Sequence, residues 1–271
     1  MKKRRLFIGI ILCMVLLLAS CGTKNNETKE TGDGAESKDV LAEIKSKGKL
    51  LIGTEGTYPP FTFHDDKGDL TGFDVEIARE VAKRLGVDAE FLETQWDALF
   101  AGLDAKRFDM IANEVGIRED RQKKYDFSDP YITSSAVLVV PKNNKDITSF
   151  EEIEGLKAAQ SLTSNYGEMA KEYGADLVSV EGFNQAIELL TSGRVDVTIN
   201  DNLTVLDYLK QKPNAPIKMV ATHEDASHSG LVFRKGSDTL VKEVNQALKD
   251  MIDDGTYLKI SEKWFGEDVL K

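Results

Sequence analysis

Cysteine is almost missing from this chain. Of 271 residues only Cys13 and Cys21 carry a thiol, and both lie near the N-terminus. A disulfide framework and a cysteine metal cage are therefore excluded for the folded body. Histidine is nearly as scarce, and His64, His223 and His228 show no metal-ligand spacing. Positive charge is in deficit, with 35 Lys+Arg against 46 Asp+Glu and a net charge of -11. Nucleic-acid binding needs basic surface to neutralise phosphates, so that class drops out. No apolar run reaches the ~20 residues of a membrane-spanning helix. The GxSxG elbow, the GxxxxGK[ST] phosphate loop and the HExxH pair are all missing. With no thiol in the body either, covalent catalysis has few candidates, and neither a cofactor nor a metal site is expected.

What is present is an ordinary globular mixture, 41% apolar and 30% charged, long enough for about two domains at ~150 residues each. The first twenty residues read as an address. Lys2, Lys3, Arg4 and Arg5 precede an apolar run from Leu6 to Leu18, which ends in Leu18-Ala19-Ser20-Cys21. A basic cluster and a short apolar run make a signal peptide, residues 1–20. The last four residues resemble the lipobox of bacterial lipoproteins, which implies lipid on Cys21 and cleavage just before it. Removing residues 1–20 takes away four positive charges and no acids, so the charge falls from -11 to -15. Residues 21–39 contain no large apolar side chain after Cys21 and are expected to be a flexible tether of roughly 25 Å reach.

The body reads as two similar α/β halves. Lys49–Glu55 has a buried-strand pattern, and Gly56-Thr57-Tyr58-Pro59-Pro60 breaks it. The acidic turn Asp65–Asp69 lacks the spacing of a calcium loop and is expected to be solvated. Phe73, Ile77, Val81 and Leu85 recur every four residues, an amphipathic helix stopped by Gly86. A strand (89–92), a helix (96–103) and a strand (108–112) follow. This alternation predicts a parallel sheet. The segment LDAKRFDMIANE, from Leu103, returns as LTSGRVDVTIND from Leu190, at an offset of 87 residues. Matches at one fixed offset suggest two lobes of the same architecture. Each copy ends its strand in Asn-acid, Asn113-Glu114 and Asn200-Asp201. Ligands of open α/β sheets sit at the carboxyl ends of strands, so Glu114 and Asp201 are expected at one cleft. Tyr131–Pro141 and Ser227–Arg234 read as crossings between lobes. The predicted boundaries are lobe one at 40–134 and 229–271, and lobe two at 135–228. A last helix, Thr239–Leu258, would pack back on lobe one.

Gly116 precedes a short charged helix whose N-terminus is expected to bind an anion. Arg121, one turn in, is placed to fork a carboxylate, with Arg118 a rival. Tyr58, Phe61 and Trp96 lie at strand-to-helix connections on the cleft side. Arg121 opposite Asp201 would clamp a zwitterion, which points to a free amino acid.

The segments EGTYPPFTFHDDKGDLTGFDVEIAREVAKRLG, RFDMIANEVGIREDRQKKYDFSDPY, SLTSNYGE, INDNLTVLDYL and SEKWFGED resemble the polar-amino-acid solute-binding proteins of ABC importers, most of all the cystine-binding lipoproteins. The resemblance runs from about residue 45 to the end. It implies a periplasmic-binding-protein-like type II fold, two α/β lobes joined by two crossing strands with a ligand cleft between them. It places Arg121 and the Gly116 N–H on the α-carboxylate, with Ser164 and Asn165 beside them, and Asp201 on the α-ammonium. Tyr58, Phe61 and Trp96 would line the side-chain pocket. Asn113 and Glu114 stand where some basic-amino-acid binders carry serines. Glu114 would hold the second ammonium of cystine, or the cationic end of Lys or Arg. The partners implied are an amino acid, an ABC permease with a separate ATPase, and a membrane reached through Cys21, with the protein a monomer that binds no nucleic acid. Binders of Lys, Arg, His or Gln, a cyclohexadienyl-dehydratase-like enzyme with Glu114 as its acid, and a sensor module are the alternatives.

Overall fold

A computed structural model describes residues 39–271. The signal peptide, Cys21 and nearly all of the tether lie outside the described residues. The chain begins with α1 (Val40–Lys47), capped by the Asp39 side chain on the Leu41 N–H and stopped at Gly48. Strand β1 (Lys49–Thr54) follows, then three short strands, β2 (Thr57–Tyr58), β3 (Thr62–His64) and β4 (Leu70–Thr71), which pair antiparallel. Helix α2 (Phe73–Leu85) buries Phe73, Ile77, Val81 and Leu85, as the four-residue period predicts. Gly86 ends it with φ 77°, a left-handed position that glycine reaches without strain. Burying these four large apolar side chains contributes about 9 kcal/mol of transfer free energy, before the opposing entropy.

Next come β5 (Asp88–Glu93), α3 (Trp96–Asp104), β6 (Met110–Ile111), α4 (Glu119–Gln122) and β7 (Tyr125–Phe127). Strand β8 (Ile132–Pro141) leaves for the second half, built from β9 (Lys157–Gln160), α5 (Asn165–Glu172), β10 (Asp176–Ser179), α6 (Phe183–Thr191), β11 (Thr198–Asp201) and α7 (Asn202–Gln211). Strand β12 (Ile217–Ser229) returns beside β8, followed by β13 (Val232–Arg234), α8 (Asp238–Asp253) and α9 (Thr256–Phe265). The expected single last helix is two, broken at Gly255 with φ 77°. Helix α8 buries Leu240, Val244, Leu248 and Met251 but leaves Ile252 exposed. Among the described residues no helix is long and apolar enough to cross a membrane.

The sheets are mixed rather than parallel. The first has the order β5-β1-β6-β13-β7. Its β1 pairs with β5 and β6 in parallel, as helical crossovers require. Strand β13 instead pairs antiparallel with β6 and β7, because it arrives from the second half along β12. In the second half β9 and β10 are parallel, but β11 runs antiparallel to the crossing strand β8. The two crossing strands pair with each other along most of their length, from Ser229 opposite Ile132 to Ile217 opposite Pro141.

The internal repeat has a physical basis. Asp109 accepts from the Leu51 N–H while its own N–H donates to the Leu51 carbonyl. Asp196 does the same with Lys157. In each half the matched aspartate pins the turn before one strand to the first strand of its sheet.

Candidate functional site

The site is built at the carboxyl ends of β1, β6, β9 and β11. Beyond β1, Glu55 is buried and Gly56 turns the chain into the Tyr58-Pro59-Pro60-Phe61 loop. Beyond β6, Glu114 adopts φ 50°, a left-handed conformation that costs a non-glycine residue about 1–2 kcal/mol. Such strain persists where surroundings over-determine it. Here the Glu114 N–H donates to the buried Asp74 carboxylate at 2.5 Å, and Asp74 accepts from Tyr131 Oη at 2.9 Å. The Glu114 side chain accepts from Ser229 Oγ at 2.9 Å, at the end of a crossing strand.

Across the cleft, Asp201 ends β11 and caps α7, accepting from the Leu203 N–H at 2.8 Å. Its second oxygen accepts from Ser134 Oγ on the other crossing strand and from Tyr166 Oη. Both acids are thus tied to serines of the crossing strands. Burial pushes the pKa of each upward, and for Glu114 the Asp201 charge adds to this. Burial also raises Glu55 and Asp74 to about 7, partly offset by bonds from Asn113 and Tyr131 respectively.

Against these acids stands one buried cation. Arg121 is 6% exposed and makes no ion pair among the described residues. It donates to the carbonyls of Gly116 at 3.0 Å and Thr163 at 3.4 Å. Its guanidinium lies 5.4 Å from the Trp96 ring centroid and 5.5 Å from that of Phe100. Burial, then the Arg118 charge, lowers its pKa to about 10, so it stays charged at neutral pH. The rival, Arg118, instead pairs with Asp120 and Glu168.

A cavity lies beside these parts; Arg121, Asp201 and Gly116 are not among its wall residues but adjoin them through Trp96, Tyr166 and Asn165 respectively. It is lined by Glu55, Tyr58, Trp96, Glu114, Ser164 and Asn165, with Gln160, Tyr166, Phe183 and Asn200 completing the wall. Tyr58 Oη donates to Asn200 Oδ1 at 2.9 Å, bridging the lobes. The Trp96 indole N–H is buried with no partner among the described residues, so a polar donor remains for a bound molecule. Ser164 caps α5 through the Gly167 N–H, and Asn165 starts that helix.

Two expected site residues turn away. Phe61 is fully buried in the lobe core, packed on Tyr58 and Phe265. Asn113 is fully buried and spends its amide inside the lobe, donating to Glu55 and accepting from the Glu55 N–H. Its repeat partner Asn200 does reach the cavity. Gly116 also differs from expectation. It is not at a helix N-terminus but in an extended bridge opposite Ser229, two residues before the Arg118 cap of α4. Its carbonyl seats Arg121, and its face adjoins Asn165 and Ser227. Glu55, Tyr166, Ser134 and Ser229 escape sequence reasoning. The first ends a strand unremarkably, Tyr166 reaches Asp201 from α5 through packing within the second lobe, and the two serines depend on where the crossing strands run.

Residues 50–267 match the bacterial extracellular solute-binding proteins, family 3. The chain belongs to this family. It is 51% identical to the L-cystine-binding protein TcyA of Bacillus subtilis (strain 168), over the whole of both chains. Among solved structures it resembles an ancestral arginine-binding protein bound to arginine, with TM-score 0.76 and 40% identity over 80% of this chain and 98% of that one. It also resembles the L-cystine solute receptor of Neisseria gonorrhoeae in the unliganded open conformation, with TM-score 0.57 and 51% identity over 84% and 98%. The fold is the type II solute-binding fold, two α/β lobes about a cleft. The protein is therefore an extracytoplasmic solute-binding protein for amino acids and not an enzyme. A relative from Haemophilus influenzae, 48% identical over 86% of this chain and 91% of its own, is named a probable amino-acid ABC transporter-binding protein.

Proposed function

We propose that this chain captures L-cystine and delivers it to its permease by closing the two lobes, tethered to the membrane through lipid on Cys21. The observation that carries the reading is the charge layout. One buried guanidinium without an acid, Arg121, touches Trp96 of the cavity wall, the buried Asp201 accepts from Tyr166 of that wall, and two further acids, Glu114 and Glu55, line the cavity itself. An α-carboxylate suits Arg121, and an α-ammonium suits Asp201. The extra acids suit a ligand with a second cationic group, which cystine carries on its second amino-acid half. The cystine-binding relative at 51% identity supports the same choice. In the proposed site Tyr58, Trp96, Glu114, Gly116, Arg121, Ser164, Asn165 and Asp201 keep their roles, and Glu55 joins them.

Closure is supported by the contacts between lobes. Tyr58 meets Asn200, Asp97 accepts from Thr163 Oγ1 at 2.6 Å, and Arg118 pairs with Glu168. The higher structural similarity to an arginine-bound protein than to an open receptor of greater identity fits a closed arrangement. The lobe limits remain those proposed from the sequence, 40–134 with 229–271 and 135–228.

A basic amino acid is the second reading, favoured by the same excess of acids. Thermal stabilisation of the full-length chain against a panel of amino acids separates the two. A ligand that binds only the folded state adds about 2.7 kcal/mol at a hundredfold excess over Kd. A shift with L-cystine that vanishes on reduction to cysteine supports cystine. A larger shift with Lys, Arg, His or Gln replaces it.

A further inference from the structure

We infer that Phe100 is a positioning residue for ligand binding, an aromatic support that holds the Arg121 guanidinium in place beside the cavity. The inference rests on the reading that Arg121 takes the ligand carboxylate. Phe100 lies one turn after Trp96 on α3, so both side chains share a face of the helix. The two rings meet edge to face at 6.0 Å, and Arg121 lies against both. Phe100 is braced in turn by Tyr125 at 5.0 Å, and Tyr125 Oη donates to Asp104, one further turn along the same helix. The support therefore closes on itself across α3, α4 and β7, entirely within the first lobe.

The state of the cleft decides why this matters. Of Arg121's hydrogen bonds, the one to Thr163 reaches the second lobe and is lost on opening. Only the Gly116 carbonyl and the two rings then restrain a side chain with several rotatable bonds. Trp96 lines the cavity, whereas Phe100 and Arg121 are not among its wall residues. Phe100 therefore acts on the ligand through the side chains it packs on, Arg121 and Trp96, and only the first route depends on a free carboxylate. A cation over an aromatic face is stabilised by the ring quadrupole, more so as water is withdrawn.

Calorimetric titration of the full-length chain in mild detergent tests this with L-cystine and its dimethyl ester, in wild type, Phe100→Leu and Phe100→Tyr. Phe100→Leu is expected to weaken cystine binding roughly 5- to 20-fold, the value of one partly desolvated cation–π contact. It should leave binding of the ester nearly unchanged, so that the preference for a free carboxylate shrinks by the same factor. Phe100→Tyr should restore both. Equal losses for cystine and ester, or no loss for either, overturn the inference. If wild type ignores L-cystine, the cystine reading fails by itself, and the comparison is made with the amino acid that does bind and its methyl ester. A ligand-free readout stands beside these. The Arg121 Nε–H resonance should be ring-current shifted in wild type and move toward its ordinary position in Phe100→Leu. An unmoved resonance also overturns the inference.

Discussion

Asp201, Glu114, Glu55 and Asp74 are liabilities to the ligand-free fold, since each is a carboxylate taken out of water. Their linkage to pH follows in sign. Burial raises Glu55 from 4.5 and Asp74 from 3.8, both to about 7. Between roughly pH 4 and 7 the folded chain therefore binds more protons than the unfolded one, and stability falls as pH rises through that window. Calorimetric unfolding of ligand-free protein should give a Tm several degrees higher at pH 5.5 than at pH 8, and Glu55→Gln should flatten the difference. A profile rising toward pH 8 would contradict the burial argument. Ligand affinity should run the other way, because a protonated acid no longer holds an ammonium. Asp201→Asn isolates this charge, since asparagine also caps helices well. Titration should show binding weakened at least a hundredfold, the scale of a buried charge partner removed, while the ligand-free Tm stays level or rises.

Elements are placed by a few close approaches. Phe108 inserts its ring between Gly53 on β1 and Gly102 on α3, and a Cβ on either glycine would fall 2.4–2.6 Å from that ring. The wedge sets the spacing between helix and strand, and so the distance from Glu55 at the end of β1 to Trp96 at the start of α3. Gly102→Ala is expected to cost about 1–3 kcal/mol by overpacking, measurable by urea unfolding. Gly102→Ala combined with Phe108→Leu should recover part of that loss. The four-residue period of α2 and the stop at Gly86 were legible in the sequence, because helix burial follows local pattern. The antiparallel entry of β13 and β11 was not. Pairing direction depends on where a strand comes from, and residues far apart in sequence decide that.

At the scale of the whole molecule, the lobes meet through modest polar contacts, which the proposed opening would break. Arg118 and Glu168 are partly exposed, 30% and 42% at the side chain, so their pair is worth at most about 1 kcal/mol. Arg118→Ala should weaken ligand binding only about 2- to 5-fold, through faster release seen in stopped flow. Ligand-free Tm should hardly move. A large fall in Tm would mean that the pair supports the fold rather than the closed state. Cys21→Ser tests the proposed anchor, since a chain without lipid should be recovered from the medium rather than from the membrane fraction. Serines on the two crossing strands hold Asp201 and Glu114, so in the proposed mechanism the groups assigned to the ligand also touch the strands that would act as the hinge.

The sequence by itself determined the helices, the duplicated half and the acids at equivalent strand ends, because spacing and strand-end position are local properties of a chain. It also carried the family, through motifs spread in order along the body. The tertiary structure alone decided which polar groups face the cleft. Asn113 and Asn200 occupy matched positions in the repeat. Yet Asn113 is consumed by Glu55 within its own lobe while Asn200 meets Tyr58 across the cleft. Gly116 was expected at a helix N-terminus, and its extended bridge to Ser229 was not legible. Phe61 looked like a cleft aromatic and is core, since only packing tells the two sides of a loop apart. Local pattern sets what a segment forms, and partners distant in sequence set where its side chains end.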